Sequence, residues 1–140
     1  MGAVLMVAFS AIAAPYFESV EIVESHHPEK VDAPSGTARF TAEKIAEARQ
    51  GHAPSPDATD PQDLGARGTS VNGVPIHSVR LRGLVAHQEV VFGSTGETLT
   101  ITHDSLNRDS FMQGVLIAIK EINHIDGVVV GLENVLPLGS

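Results

Sequence analysis

Hydrophobic positions change their period along the chain, and the changes mark out its elements. From Met1 to Ala14 almost every residue is apolar, which predicts a buried helix. Ser19 to His26 then alternates about Val20, Ile22 and Glu24, as a strand does. A loop from His27 to Pro34 leads into a helix over about Ser35 to Gln50. Ala38, Ala42, Ile45 and Arg49 share one of its faces, and Gly51 is its stop. Gly51 to Gly65 holds three prolines, three aspartates and no period, and reads as a surface loop. From Gly68 the period becomes two. Asn72-Gly73 signals a hairpin, with Pro75 limiting pairing on one side. Val74 to Arg82 places His77, Val79 and Leu81 on one face and Ser78, Arg80 and Arg82 on the other. Ala86 to Phe92 and Thr98 to Asp104 are two further strands, turned by Gly93-Ser94-Thr95-Gly96. A last helix over about Asp109 to Ile125 carries the stripe Phe111, Val115, Ala118, Ile122 and Ile125. Gly127 to Val130 adds a short apolar run. Helix, strand, helix, three or four strands and helix predict an α+β fold, a mixed β-sheet with helices on one face.

The chain has 140 residues, enough for one domain and short for two. It is 42% hydrophobic and 19% charged, a balance that fills a core. With no cysteine, disulfide scaffolds, cysteine nucleophiles and thiolate metal sites are excluded. The net charge of -8 would repel nucleic acid, and no tryptophan and a single tyrosine leave little for base stacking. The apolar opening ends in Ala11-Ile12-Ala13-Ala14-Pro15 and imitates a secretory signal. The positive n-region such a signal needs is missing, because the first basic residue is Lys30. The run is also shorter than the roughly 18 residues that a membrane span requires. No nucleic-acid or membrane partner is therefore expected. An apolar helix with no cap and no polar first turn is an unusual start for a domain, and it suggests the carboxy-terminal part of a longer protein.

Candidate chemistry concentrates after the first strand, where Glu24, His26, His27, Lys30, Asp32, Ser35 and Thr37 fall close together. Adjacent histidines on an extended segment point to opposite sides, so only one is expected to face a given ligand. Histidine exchanges protons near neutrality, and Lys30 can return to the same side of a turning loop. Ser35-Gly36-Thr37 offers hydroxyls and backbone N–H groups at a helix start, a receptor for a carboxylate or phosphate. The same hydroxyls would also serve as caps with no ligand present. A zinc site lacks an evident third ligand, since His52, His77, His87 and His103 are scattered, so no metal is expected. His77, His87 and His103 read as packing or solvent-facing residues, and Asp57 to Asp63 as a solvated surface.

Glu24-Ser25-His26-His27-Pro28-Glu29-Lys30-Val31-Asp32-Ala33-Pro34-Ser35-Gly36-Thr37-Ala38 resembles the signature of the 4-hydroxy-tetrahydrodipicolinate (dihydrodipicolinate) reductase family. Gly83-Leu84-Val85-Ala86-His87-Gln88-Glu89-Val90-Val91-Phe92-Gly93, then Gly96-Glu97 and Ile101-Thr102-His103-Asp104, add to the resemblance. It runs from about Gly2 to the last helix and touches only that family's substrate-binding and oligomerisation domain, taken here as residues 1–140. The family's amino-terminal Rossmann half is absent from this sequence. The resemblance implies that His26 is the general acid/base and Lys30 a second proton donor. It implies substrate contacts at His27, Gly36 and Thr37, and the helix-start reading adds Ser35. Glu29 departs from the basic or polar residue often found there. Arg108 and Phe111 lie where the family's last helix returns toward its nucleotide domain, but no cofactor-binding residue is assigned. The implied cofactor is NADPH or NADH, bound mainly outside this chain, and the implied ligand is a small cyclic dicarboxylate. The implied assembly is a cytoplasmic homotetramer, inactive without its nucleotide-binding domain. A non-catalytic oligomerisation module and a dicarboxylate binder without turnover are the rival readings.

Overall fold

A computed structural model describes residues 1–136 and Leu138; residues 137, 139 and 140 of the expected domain lie outside the described residues. The chain runs α1 (Gly2–Ala13), β1 (Ser19–His26), α2 (Gly36–Ala48), β2 (Thr69–Val71), β3 (Val74–Arg80), β4 (Ala86–Ser94), β5 (Glu97–Ser105) and α3 (Met112–Glu121), with short 3₁₀ turns between. Five strands form one sheet in the order β2-β3-β1-β4-β5. β1 is parallel to β3 and antiparallel to β4, so the sheet is mixed, as the order of elements predicts. Because α2 lies between the two parallel strands in sequence, it forms the crossover that parallel pairing requires.

Register decides which residues meet the helices. Ile22 pairs with Ile76 on one side and Val90 on the other, and Val20 pairs with Phe92. Period two then turns Val20, Ile22, Val74, Ile76, Val90 and Phe92 to one face, where all are buried. Ala38, Ala42 and Ile45 of α2 complete this core, joined by Met6 of α1. Alanines on the packing face let the helix lie close to the sheet. Phe17 leans on Phe92 with ring centroids 5.5 Å apart. Arg49, the C-cap of α2, donates to the carbonyls of Ala14, Phe17 and Glu18 and so fastens the α1–β1 connection.

The hairpin forms as expected: Asn72 and Gly73 both take positive φ, at 50° and 84°, between β2 and β3. Pairing of β3 with β1 begins at Ile76, just beyond Pro75, which has no N–H to donate. β4 and β5 extend further than the alternation suggests, leaving Thr95-Gly96 alone as the turn. β3 stops at Arg80 rather than Arg82, because the Leu81 N–H makes the last ladder bond to the carbonyl of His26, where β1 itself ends, and Gly83 then reverses the chain at φ 94°.

Three expectations need correction. α1 is only half buried: Met6, Val7 and Ser10 face inward while Phe9 and Ile12 are exposed, since it packs on α2 and β5 from one side only. The last helix is broken into the 3₁₀ turn Arg108–Phe111, α3, and the 3₁₀ turn Ile122–His124. Its stripe does not cover the sheet; Phe111, Val115 and Ile122 are exposed, so α1 and α2 alone form the helical layer. Gly127 to Val130 forms no strand, and its valines are exposed. No helix among the described residues is long and apolar enough to cross a membrane.

Candidate functional site: a histidine–lysine cleft at the start of α2

Glu24 is the deepest member of the site. It occupies an inward position of β1 and is fully buried. A carboxylate there needs several partners, since a buried charge left alone is strongly destabilising. One of its oxygens, Oε1, accepts from the Ser35 N–H at 3.1 Å and from Arg80 Nη2 at 3.0 Å. The other, Oε2, accepts from Arg80 Nη1 at 2.9 Å and lies 2.6 Å from His26 Nδ1. Burial opposes ionisation of Glu24, but bonds from Arg80, Ser78, His26 and the Ser35 backbone outweigh it and hold its carboxyl below the usual range. An ionised Glu24 can only accept hydrogen bonds, and every one of the neighbours named above is a group able to donate.

Arg80 also reaches forward. Its Nη2 donates to the Asp32 carbonyl at 2.7 Å, tying the loop before α2 to the end of β3. Asp32 in turn accepts from Lys30 Nζ at 2.7 Å. That bond, with the Gly36 N–H assisting, keeps the Asp32 carboxyl below its usual range. The loop closes at a cis Ala33–Pro34 bond, and α2 begins with Ser35 as N-cap. Ser35 is buried and already committed: its hydroxyl accepts the Ala38 N–H at 3.2 Å and its own N–H serves Glu24. Its share in ligand binding is limited to the remaining hydroxyl proton. At Gly36 a Cβ would meet nothing within 4 Å, so the backbone there is open to close approach. Thr41 and Gln88, buried behind the helix start, link α2 to β4 at 2.9 Å.

Beside these groups lies an open cleft of about 1070 Å³. His26, His27, Glu29, Lys30 and Thr37 form one wall. Leu84, Val85 and Ala86 lie between them and a second wall of Leu106, Asn107, Arg108 and Phe111. The expectation that the paired histidines face apart does not hold. β1 ends at His26 and the chain turns back, with the Lys30 N–H on the His27 carbonyl, so both rings border the same cleft. His27 Nδ1 lies 3.2 Å from Glu29, the residue that departs from the family pattern. Gly36 opens toward a neighbouring groove between α1 and α2, while Thr37 borders both that groove and the cleft. Arg108 and Phe111 border the same cleft as the histidines.

Arg80 is the site residue that alternation alone misses. Only the parallel register, which sets Arg80 beside His26, brings its guanidinium to Glu24. One signal was present: a carboxylate at an inward strand position implies a buried cation. The remaining histidines lie elsewhere. His77 Nε2 is 2.6 Å from Glu21, and His87 pairs with Asp104 on the sheet face away from the helices. His103 stands against Gly2 of α1. The acidic loop is not merely solvated, because Asp57 and Glu21 both hold Arg67 and so anchor it to β1. Among the described residues no group of three or more His, Cys, Asp or Glu side chains is placed to hold a metal ion.

A helix-backed mixed sheet, with histidine and lysine side chains gathered near a helix N-terminus, defines an α+β domain. The chain belongs to the family described as dihydrodipicolinate reductase, C-terminus, whose model matches residues 2–136. It is 62% identical over 138 residues to the 4-hydroxy-tetrahydrodipicolinate reductase of Mycolicibacterium smegmatis, covering 99% of this chain and 56% of that protein. The reductase of the same name from Streptomyces coelicolor is 60% identical over 140 residues, with 99% of this chain and 56% of the relative covered. The solved structure of dipicolinate-bound dihydrodipicolinate reductase from Paenisporosarcina sp. TG-14 superposes with a TM-score of 0.86 at 52% identity, covering 96% of this chain and 51% of that one. The chain thus spans little more than half the length of the curated relatives it matches.

Proposed function

We propose that this chain is the substrate-binding and proton-donating domain of an NADPH- or NADH-dependent reductase. The reaction is conversion of 4-hydroxy-tetrahydrodipicolinate to tetrahydrodipicolinate, in lysine and diaminopimelate biosynthesis. The observation that carries the reading is the convergence of His26, His27, Lys30 and the start of α2 on one cleft, in a chain similar to reductases of that name. The solved neighbour with dipicolinate bound supports a cyclic dicarboxylate as the ligand class.

In this reading Thr37 offers its backbone N–H to one ligand carboxylate, and Gly36 adds its own by exchanging Asp32 for the ligand, with the remaining Ser35 hydroxyl proton beside them. Lys30 exchanges Asp32 for the ligand's anionic group and serves as second proton donor. His27 adds a contact at the rim, and His26 delivers a proton from its cleft-side nitrogen to the enamine left after hydride addition. The reduced nicotinamide, held mainly by a nucleotide-binding domain outside this chain, supplies the hydride. The domain is a cytoplasmic homotetramer: the sheet face away from α1 and α2 carries Val23, Val79 and Val91 under no helical layer among the described residues, and a second sheet would bury them.

Calorimetric titration of dipicolinate into the chain, with amide shifts followed by NMR, tests the binding half. Shifts at His26, His27, Lys30, Gly36 and Thr37 are expected, and absence of binding there would overturn the reading. Joined to a nucleotide-binding domain, the protein should reduce substrate, with His26→Ala or Lys30→Ala lowering turnover by roughly 10²–10⁴. Sedimentation at micromolar concentration should give a tetramer in low and in high salt; a monomer in both would remove the assembly from the proposal.

A further inference from the structure

The buried Glu24–Arg80 pair has no place among the ligand contacts, yet it touches every segment that carries one. Glu24 meets the His26 ring and the Ser35 N–H, and Arg80 meets Glu24 and the Asp32 carbonyl. A surface ion pair would cost little to replace, but Glu24 is fully buried and the Arg80 side chain is only 20% exposed. We propose that Glu24 is a positioning residue that fixes the tautomer of His26, with Arg80 holding Glu24 ionised and acceptor-only. The inference rests on the role of His26 as proton donor given above.

The chemistry follows from what each atom can accept. The Glu24 carboxylate takes the Nδ1–H of His26, so Nε2 is the nitrogen left for the cleft. As an imidazolium, His26 carries protons on both nitrogens. It gives the Nε2 proton to the substrate carbon, whose enamine electron pair forms the new C–H bond, and remains as the neutral Nδ1–H imidazole. That neutral form is the one Glu24 stabilises, so the ring needs no proton rearrangement to be recharged at Nε2. The opposite tautomer would leave a bare Nδ1 against a carboxylate and a protonated Nε2 that is not acidic enough to serve.

Glu24→Gln discriminates this role from simple support, because an amide has only one accepting atom. Oε1 faces two groups that must donate, the Ser35 N–H and Arg80 Nη2. Oε2 faces one, Arg80 Nη1, beside an imidazole nitrogen that can switch from donor to acceptor. The amide oxygen therefore stays on Ser35, its NH₂ turns to His26, and the ring proton moves to Nε2. Long-range ¹H–¹⁵N spectra of the chain as it stands read this directly above the pH at which His26 loses its charge. The native chain should show the proton on Nδ1, and Glu24→Gln should move it to Nε2. A proton on Nε2 in the native chain would overturn the proposal whether or not the variant folds, and so would an unchanged Nδ1–H in a folded Glu24→Gln. In the complete reductase the same variant should lower kcat by about 10²-fold with KM within about threefold. Loss of KM alone would make Glu24 a binding support and overturn the proposal. Absence of reductase activity in the complete protein, nucleotide-binding domain included, would refute the functional reading while leaving the tautomer result standing.

Discussion

Two walls of one cleft are built by opposite means. The wall from Glu24 to Thr37 is polar, and its groups are answered from within: Glu24 by Arg80 and Ser35, Lys30 by Asp32, the helix start by the Ser35 cap. The wall from Leu106 to Phe111 continues into α3, where Met112, Val115, Leu116 and Ile119 are exposed and the sheet is out of reach. Buried polar groups are driven to find partners inside the chain, because one left unpaired costs more than the bond itself would gain. Apolar side chains carry no such demand and can await a surface supplied from elsewhere. The histidine–lysine wall is therefore answered almost wholly from within, Arg80 Nε being its one buried side-chain nitrogen without a partner among the described residues, whereas the stripe of α3 stays exposed.

The largest test of this contrast lies under the histidine–lysine wall. Phe92 is fully buried beneath α2 and against Phe17, so Phe92→Ala should cost about 3–5 kcal/mol in urea unfolding. Ser35→Ala should cost about 1 kcal/mol and Ser35→Gly only a few tenths, as expected of a cap. An equal loss from both would mean that the hydroxyl does more than cap the helix.

Acid should act in steps whose sign follows from the depressed carboxyls. Glu24 titrates below its ordinary 4.5 in the folded chain, so its contribution is full above that pH and is lost as pH falls through the folded value. Asp57 is held at about 2, by Thr59 first and then Arg67, against an ordinary 3.8. Its contribution is present above 3.8 and fades between there and about 2. Asp57→Asn should flatten only this lower part of a stability-against-pH curve, while the limb below 4.5 persists. The smallest effect is expected on the other wall: Ile119→Ser should change unfolding of the isolated monomer by less than about 0.5 kcal/mol. A loss above about 1 kcal/mol would show that the α3 stripe is already covered in solution.

Legibility in the sequence divides along the same line. β1 and the loop that follows were readable to the residue, because Val20 and Ile22 alternate cleanly and Pro28, Pro34 and Ser35 punctuate what comes after. The Asn72-Gly73 hairpin was readable for a similar reason, since its turn demands two positive φ angles. The last helix was misjudged as a cover for the sheet, because an apolar stripe states that a surface is needed and says nothing about where it is.

What the sequence determined alone is local: strand alternation, the Ser35 cap, and the crowding of His26, His27 and Lys30 within a few residues of that cap. What only the tertiary structure decided is the meeting of Arg80 with Glu24, and through it the orientation of His26. These two partners are 56 residues apart, and no periodicity links them. Their contact exists because β3 returns parallel to β1 with Arg80 level with His26, and register between distant strands is set by how the whole apolar face packs beneath the helices.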